Sequence, residues 1–164
     1  MWDQLEKDFS RMPSQAEIAK YMLEVGIRQE GNKLFFEKVA ISHSQVAEAL
    51  GKDKRVVAAT VKTIKNNKRL YSIYSKLQPT CNLINMANDM GWGVICIELN
   101  NPNMPGTLGR ITTKLGDMKI SIRQAQCPAT DCNMLFIITD NPITGDVLEN
   151  LKGVKNVKTI KIFT

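Results

Sequence analysis

Only one histidine, His43, occurs in this sequence, and its four cysteines, Cys81, Cys96, Cys127 and Cys132, lie scattered from residue 81 onward. A zinc site needs three or four ligands of the His, Cys or carboxylate type at short spacings. A disulfide framework needs a small secreted chain dense in paired cysteines. Neither pattern is present, so the expectation is no metal, no cofactor and reduced thiols, although Cys127 and Cys132 flank a short turn and could face each other across two strands. Long apolar runs are missing too. Val94-Ile95-Cys96-Ile97 and Met134 to Ile138 fall far short of the roughly 20 residues that cross a bilayer. The start, Met1-Trp2-Asp3-Gln4-Leu5-Glu6, has no basic segment followed by an apolar block, which predicts a cytoplasmic protein without a secretory signal. Catalytic signatures are equally scarce: there is no paired-carboxylate motif and no glycine-rich phosphate loop, and the one histidine lies within a capping box at a helix start, where a polar surface residue is the expectation. An enzyme is therefore not expected.

What is present is an ordinary globular composition, 43% hydrophobic and 23% charged in 164 residues, enough for one domain or two small ones with real cores. The charge is unevenly placed. Between Gly51 and Lys76 lie Lys52, Lys54, Arg55, Lys62, Lys65, Lys68, Arg69 and Lys76 against the single acid Asp53, a local excess of seven beside a net +6 for the whole chain. A basic block confined to one helix and its exit suits a phosphate backbone.

The first half reads as mostly helical with a small hairpin. Ser14 and Glu17 have capping-box spacing ahead of Ile18, Met22, Leu23 and Val25, and Gly26 is a plausible stop. Ile27–Glu30 and Lys33–Phe36 flank Gly31-Asn32, the signature of a hairpin. A second capping box, Ser42-His43-Ser44-Gln45, opens a short helix through Leu50, and after Gly51 a longer helix runs from Lys54 to Asn66 with Asp53 as its cap. A helix-turn-helix wants a small residue at the crossing, a glycine in the turn and apolar anchors beyond it. Ala47, Gly51, Val57, Val61 and Ile64 fill those places. With the three anchors inward, the 100-degree helical step turns Lys54, Arg55, Ala58, Ala59, Lys62 and Lys65 outward. Such a face can contact phosphates and base edges of double-stranded DNA. The blander account is a helical hairpin with a solvated basic side. Leu70, Ile73, Tyr74 and Leu77 mark one more amphipathic helix, stopped by Pro79, and Cys81 to Met90 reads as a connector. The expected layout is a helix-turn-helix domain over 1–78, a connector over 79–91 and a second domain over 92–164.

In that second domain the pattern becomes strand (94–99), helix (around Leu108, Ile111, Leu115 and Met118), strand (120–125), strand (133–139), helix (around Val147, Leu148 and Leu151) and strand (154–163). The order βαββαβ is ferredoxin-like, so the chain as a whole is α+β. The stretch Asn100-Asn101-Pro102-Asn103-Met104-Pro105-Gly106-Thr107-Leu108, with Ile111, Leu115 and Ile120-Ser121-Ile122, resembles the ACT family, whose members bind an amino acid beside a Pro-Gly-x-Leu turn. The resemblance implies an effector site formed by Asn100, Asn101, Asn103, Met104, Pro105, Gly106, Thr107, Leu108, Ile120 and Ile122. Structurally, the same proline and glycine are a helix entry and the asparagines are turn formers. Two positions depart from the family: asparagines stand where an acid is frequent, and Lys119 stands where a glycine often precedes the second strand.

Through Asp53-Lys54-Arg55-Val56-Val57, Gly91-Trp92-Gly93-Val94-Ile95, Ile120 to Gln124 and Gly153-Val154, the chain looks similar to the archaeal family of regulators of amino-acid metabolism. The resemblance implies a DNA-binding transcriptional regulator with an amino-acid effector, homodimeric through the ACT domain. The competing reading is a non-catalytic allosteric subunit that senses an amino acid and docks on a metabolic enzyme. A third, RNA binding, finds little aromatic supply on the basic face for base stacking.

Overall fold

The computed structural model describes residues 1–163. It divides into two compact units, Met1–Cys81 and the residues from Asn82 onward. Among the described residues no helix is long and apolar enough to cross a membrane.

In the first unit a short helix α1 (Trp2–Leu5) and a 3-10 turn precede α2 (Pro13–Val25). Trp2 and Phe9, both buried, stack with ring centroids 6.3 Å apart, a contact the periodicity did not suggest. The expected Ser14–Glu17 capping box does not form, because α2 starts two residues earlier, with Pro13 as its first residue and Met12 as a cap without a side-chain bond. Proline's preset φ and missing N–H suit that place. Glu17 pairs with Lys52 instead.

The hairpin is real and larger than expected: β1 (Arg28–Glu30), β2 (Lys33–Phe36) and β3 (Val39–Ile41) form an antiparallel sheet in that order. Then come α3 (His43–Ala49), α4 (Lys54–Asn66) and α5 (Lys68–Tyr74). Ile18 and Met22 of α2, Leu34 of β2, Val57 and Ile64 of α4, and Leu70 and Tyr74 of α5 are all fully buried.

In the second unit the elements are β4 (Gly93–Leu99), α6 (Thr107–Asp117), β5 (Ile122–Gln126), β6 (Met134–Thr139), α7 (Gly145–Lys152) and β7 (Val157–Phe163). The sheet order is β5-β6-β4-β7, antiparallel throughout, which is the ferredoxin-like arrangement. Alternation along β4 sends Ile95, Ile97 and Leu99 against Ile111 and Leu115 of α6 and Val147 and Leu151 of α7. The opposite face places Val94 beside Ile138 and Ala87, with Leu83, Ile84 and Trp92 packed around them. Residues 82–91, read from the sequence as a connector, therefore sit in this unit as two 3-10 turns that cover part of its sheet, because their apolar side chains find a surface there. Two strands start later than their apolar residues suggest. Lys119 (φ 59) and Asn156 (φ 81) are left-handed and interrupt the extended chain just before β5 and β7.

Candidate nucleic-acid interface and effector turn

The helix-turn-helix is built by local hydrogen bonds. Ser42 Oγ accepts from the Gln45 amide at 3.2 Å and Gln45 Oε1 accepts from the Ser42 amide at 2.8 Å, completing the capping box of α3. At its other end Gly51 is left-handed (φ 60), the Lys52 amide donates to the Ala47 carbonyl at 2.8 Å and the Gly51 amide to the Glu48 carbonyl at 3.2 Å. That pair of bonds is a Schellman motif, and it turns the chain sharply into α4. Asp53 then caps α4 by accepting from the Arg55 amide at 2.7 Å.

Val57, Val61 and Ile64 are buried. Thr60 is buried beside them, its hydroxyl satisfied by the Val56 carbonyl at 2.8 Å, so it serves as a fourth inward residue that polarity alone conceals. On the outer face Lys54, Arg55, Ala58, Lys62 and Lys65 are exposed and Ala59 is half-buried. The arginine is already engaged. Its guanidinium grips the Asp53 carboxylate at 2.8 Å, with 86% of its side chain still open to solvent. The Arg55 side-chain hydrogen bond, helped by the Arg55 amide, holds the Asp53 carboxyl down at about 2. Arg69 pairs with Asp8 at 3.3 Å, and Lys52 with Glu17. Three of the eight cations of the basic block are thus matched by carboxylates of their own unit. Among the described residues, Lys54, Lys62, Lys65, Lys68 and Lys76 have no such partner.

The hairpin is tied to α4 and α5 rather than standing free. Gln29, fully buried, donates to the Val61 carbonyl at 2.8 Å and to the Gly31 carbonyl at 3.0 Å. The Gly31 amide donates to the Tyr71 hydroxyl at 3.0 Å. Asn32 at the tip accepts twice, from Lys65 Nζ on its side chain at 3.0 Å and from His43 Nε2 on its carbonyl at 3.1 Å. The sequence placed His43 only within the capping box, and its tie to the hairpin is a contact that no spacing rule reveals.

In the second unit, residues 100–108 form one turn between β4 and α6. Gly106 is left-handed (φ 75) at the helix entry. Asn101 Oδ1 accepts from the Asn103 amide at 2.9 Å, an Asx turn, and Asn100 Nδ2 donates to the Val157 carbonyl at 3.4 Å. Thr107 is buried and its hydroxyl donates to the Met104 carbonyl at 3.0 Å. Met104 is half-buried, while Pro105 and Leu108 are exposed. Ile120 and Ile122 pack instead against the core that holds Ile111 and Leu115.

The residue that organises this turn was not singled out by the sequence. Asn156, 7% exposed, accepts from the Asn101 amide at 2.8 Å and donates to the Asn101 carbonyl at 2.7 Å and the Thr107 hydroxyl at 3.0 Å. Its backbone carbonyl accepts from the Asn100 amide at 3.0 Å. Asparagine tolerates the left-handed conformation needed there, but the partners of its side chain lie 49 to 55 residues away. The four cysteines form no disulfide, and burial pushes the Cys96 thiol above its ordinary range, which keeps it protonated and inert. Among the described residues no three His, Cys, Asp or Glu side chains gather as a metal site would require.

No family model matches the chain, and no curated protein matches it in sequence. Among solved structures it is similar to PF0864, a transcriptional regulatory protein of the AsnC family from Pyrococcus furiosus, at 13% identity over 75% of this chain and 77% of that one, with a TM-score of 0.31. A second likeness is to AsnC of E. coli, at 9% identity over 74% and 78% of the two chains and a TM-score of 0.27. A third is to the protein PH0061, at 10% identity over 91% and 88% and a TM-score of 0.29. At these identities and scores the likenesses decide neither family nor function.

Proposed function

We propose that this chain is a DNA-binding transcriptional regulator of amino-acid metabolism, with α4 entering the major groove of double-stranded DNA and the turn between β4 and α6 taking an amino acid or similar small effector. The observation that carries the DNA reading is the outer face of α4, where exposed cations flank Ala58 and Ala59 while Val57, Val61 and Ile64 lock the opposite side. Small residues between charges let the helix approach base edges closely, and a thymine methyl suits an alanine methyl.

A single helix-turn-helix offers few base contacts, so the reading includes a homodimer through the ACT-like unit, with half-sites roughly 34 Å apart. Phe136 and Phe163 support it: they stand 6.2 Å apart on the sheet, opposite Cys96 and Val94 in register and so on the face away from α6 and α7, and Phe163 is 43% exposed.

The decisive measurement is binding of labelled duplex DNA across a salt series. The native chain should bind with a steep salt dependence, and the double variant Arg55→Ala/Lys62→Ala should lose binding with its melting curve preserved. Unchanged binding by that variant would remove α4 from the interface. Sequencing of co-purified genomic fragments completes the test, and recovery of a metabolic enzyme in place of DNA would favour an allosteric subunit. For the effector, an amino acid bound only by the folded state raises stability by about 2.7 kcal/mol at a hundred times its Kd. Such a shift should appear in a thermal screen of the amino acids and vanish in Gly106→Val. No shift with any amino acid would leave the unit as a dimerisation module.

A further inference from the structure

The tip of the β1–β2 hairpin and the far end of α4 enclose a groove of about 380 Å³ in which Asn32, His43, Lys62, Lys65 and Asn66 meet. A neighbouring hollow runs past the other side of Asn32 and His43 and is bordered by Lys33. No carboxylate lines either one. Lys65 and His43 therefore bond to one asparagine while Lys62 and Lys33 line the hollows on either side of it, in a chain whose other exposed cations are in several cases matched by acids. Gln29 and Tyr71 fix this tip from behind through the bonds to Val61 and Gly31, so the shelf exists before any partner arrives.

We propose that this shelf is a second DNA contact, a seat for backbone phosphates on the strand that walls the major groove, with Asn32, Lys33 and His43 added to Lys62 and Lys65. The proposal rests on the reading of α4 as the groove helix. Geometry favours it: Lys54 and Lys65 are eleven residues apart, so roughly 16 Å separates them along the helix axis, while the major groove is roughly 12 Å wide. A helix whose first turns meet base edges must carry its last turns out to the sugar-phosphate wall. Arg55, Ala58 and Ala59 then face bases, while Lys62 and Lys65 face phosphates together with the hairpin tip. His43 Nε2 is held by the Asn32 carbonyl, which orients the ring, and Asn32 Oδ1 orients Lys65.

The test uses the full chain, a duplex of about 30 base pairs of arbitrary sequence, and affinity measured over a potassium chloride series. Asn32→Asp keeps the shape of the tip but puts a negative charge where the phosphate sits. It should weaken binding at least tenfold and lower the log–log salt slope by about one contact. Lys33→Ala, an exposed side chain outside α4, should lower the slope likewise and serves if the tip variant is unstable. Inorganic phosphate, compared with chloride at equal ionic strength, should displace the duplex more effectively from the native chain than from Asn32→Asp. If both variants bind like the native chain while Lys62→Ala does not, α4 remains the reader and the shelf is overturned. Displacement by inorganic phosphate that Asn32→Asp leaves unchanged would also overturn it, since the duplex would then not be held at the tip. Failure of the native chain to bind any duplex would overturn the DNA reading and the shelf together.

Discussion

Lys119 closes α6 in a conformation that L-residues with a side chain avoid. Its amide donates to the Gly116 carbonyl at 2.9 Å and the Ile120 amide donates to the Leu115 carbonyl at 3.0 Å, so it holds the left-handed position of a Schellman motif. Glycine is the usual occupant because a Cβ there crowds the following carbonyl. Lys119→Gly should stabilise the second unit by about 1 kcal/mol, read as a melting shift of a few degrees. A lowered melting temperature would mean that the lysine side chain makes a compensating contact. Asp53 gives a prediction of the opposite kind, since its carboxyl is held at about 2 against an ordinary 3.8. A depressed carboxyl stabilises the folded state above its unfolded value and loses that contribution as pH falls through the folded one. The melting advantage of the native chain over Asp53→Asn should therefore be full above pH 4 and shrink towards pH 2. At neutral pH the same variant frees Arg55 and should tighten duplex binding, and no change in affinity would show that Arg55 stays out of the interface.

At the scale of elements, what could be read in the sequence is what closes within a few residues. The Ser42–Gln45 box, the Gly51 turn, the Asp53 cap and the inward stripe of α4 all depend on spacings of two to four residues, and all stand as expected. The Ser14 box had the same spacing but competed with Pro13, whose fixed geometry claims the helix start. Strand β3, only three residues long, is set by pairing with β2 and not by any alternation of its own. Of the candidate site, the outer face of α4 was legible from periodicity, whereas Asn32, His43 and Asn156 were not, because each acts through partners far along the chain. Gly26 adds an element-scale prediction. It ends α2 at φ 76, and a Cβ there would sit 2.5 Å from the Pro79 nitrogen and 2.6 Å from the Gln78 carbonyl oxygen. Gly26→Ala should cost more than about 2 kcal/mol, since backbone on both sides must shift. A melting change under a degree would show that the 78–79 segment moves freely.

For the molecule as a whole, the division near residue 81 carries a consequence for dissection. Each unit has its own buried cluster, so residues 1–81 and 82–164 should each melt cooperatively when produced separately, by calorimetry or circular dichroism. A cut at 78 should be worse than one at 81, because it removes Pro79, which lies against Gly26. Equal melting of the two truncations would make that contact dispensable.

Asn156 bears on the effector site proposed for the second unit. Its carboxamide offers the turn an oxygen for one N–H and an NH2 for a carbonyl and a hydroxyl, the same kinds of partner that the two ends of an amino acid would seek. A group already seated in the fold competes without the translational and rotational entropy cost that a free molecule must meet. The turn thus has a permanent tenant, and any visiting metabolite must either lodge alongside it or be abundant enough to evict it.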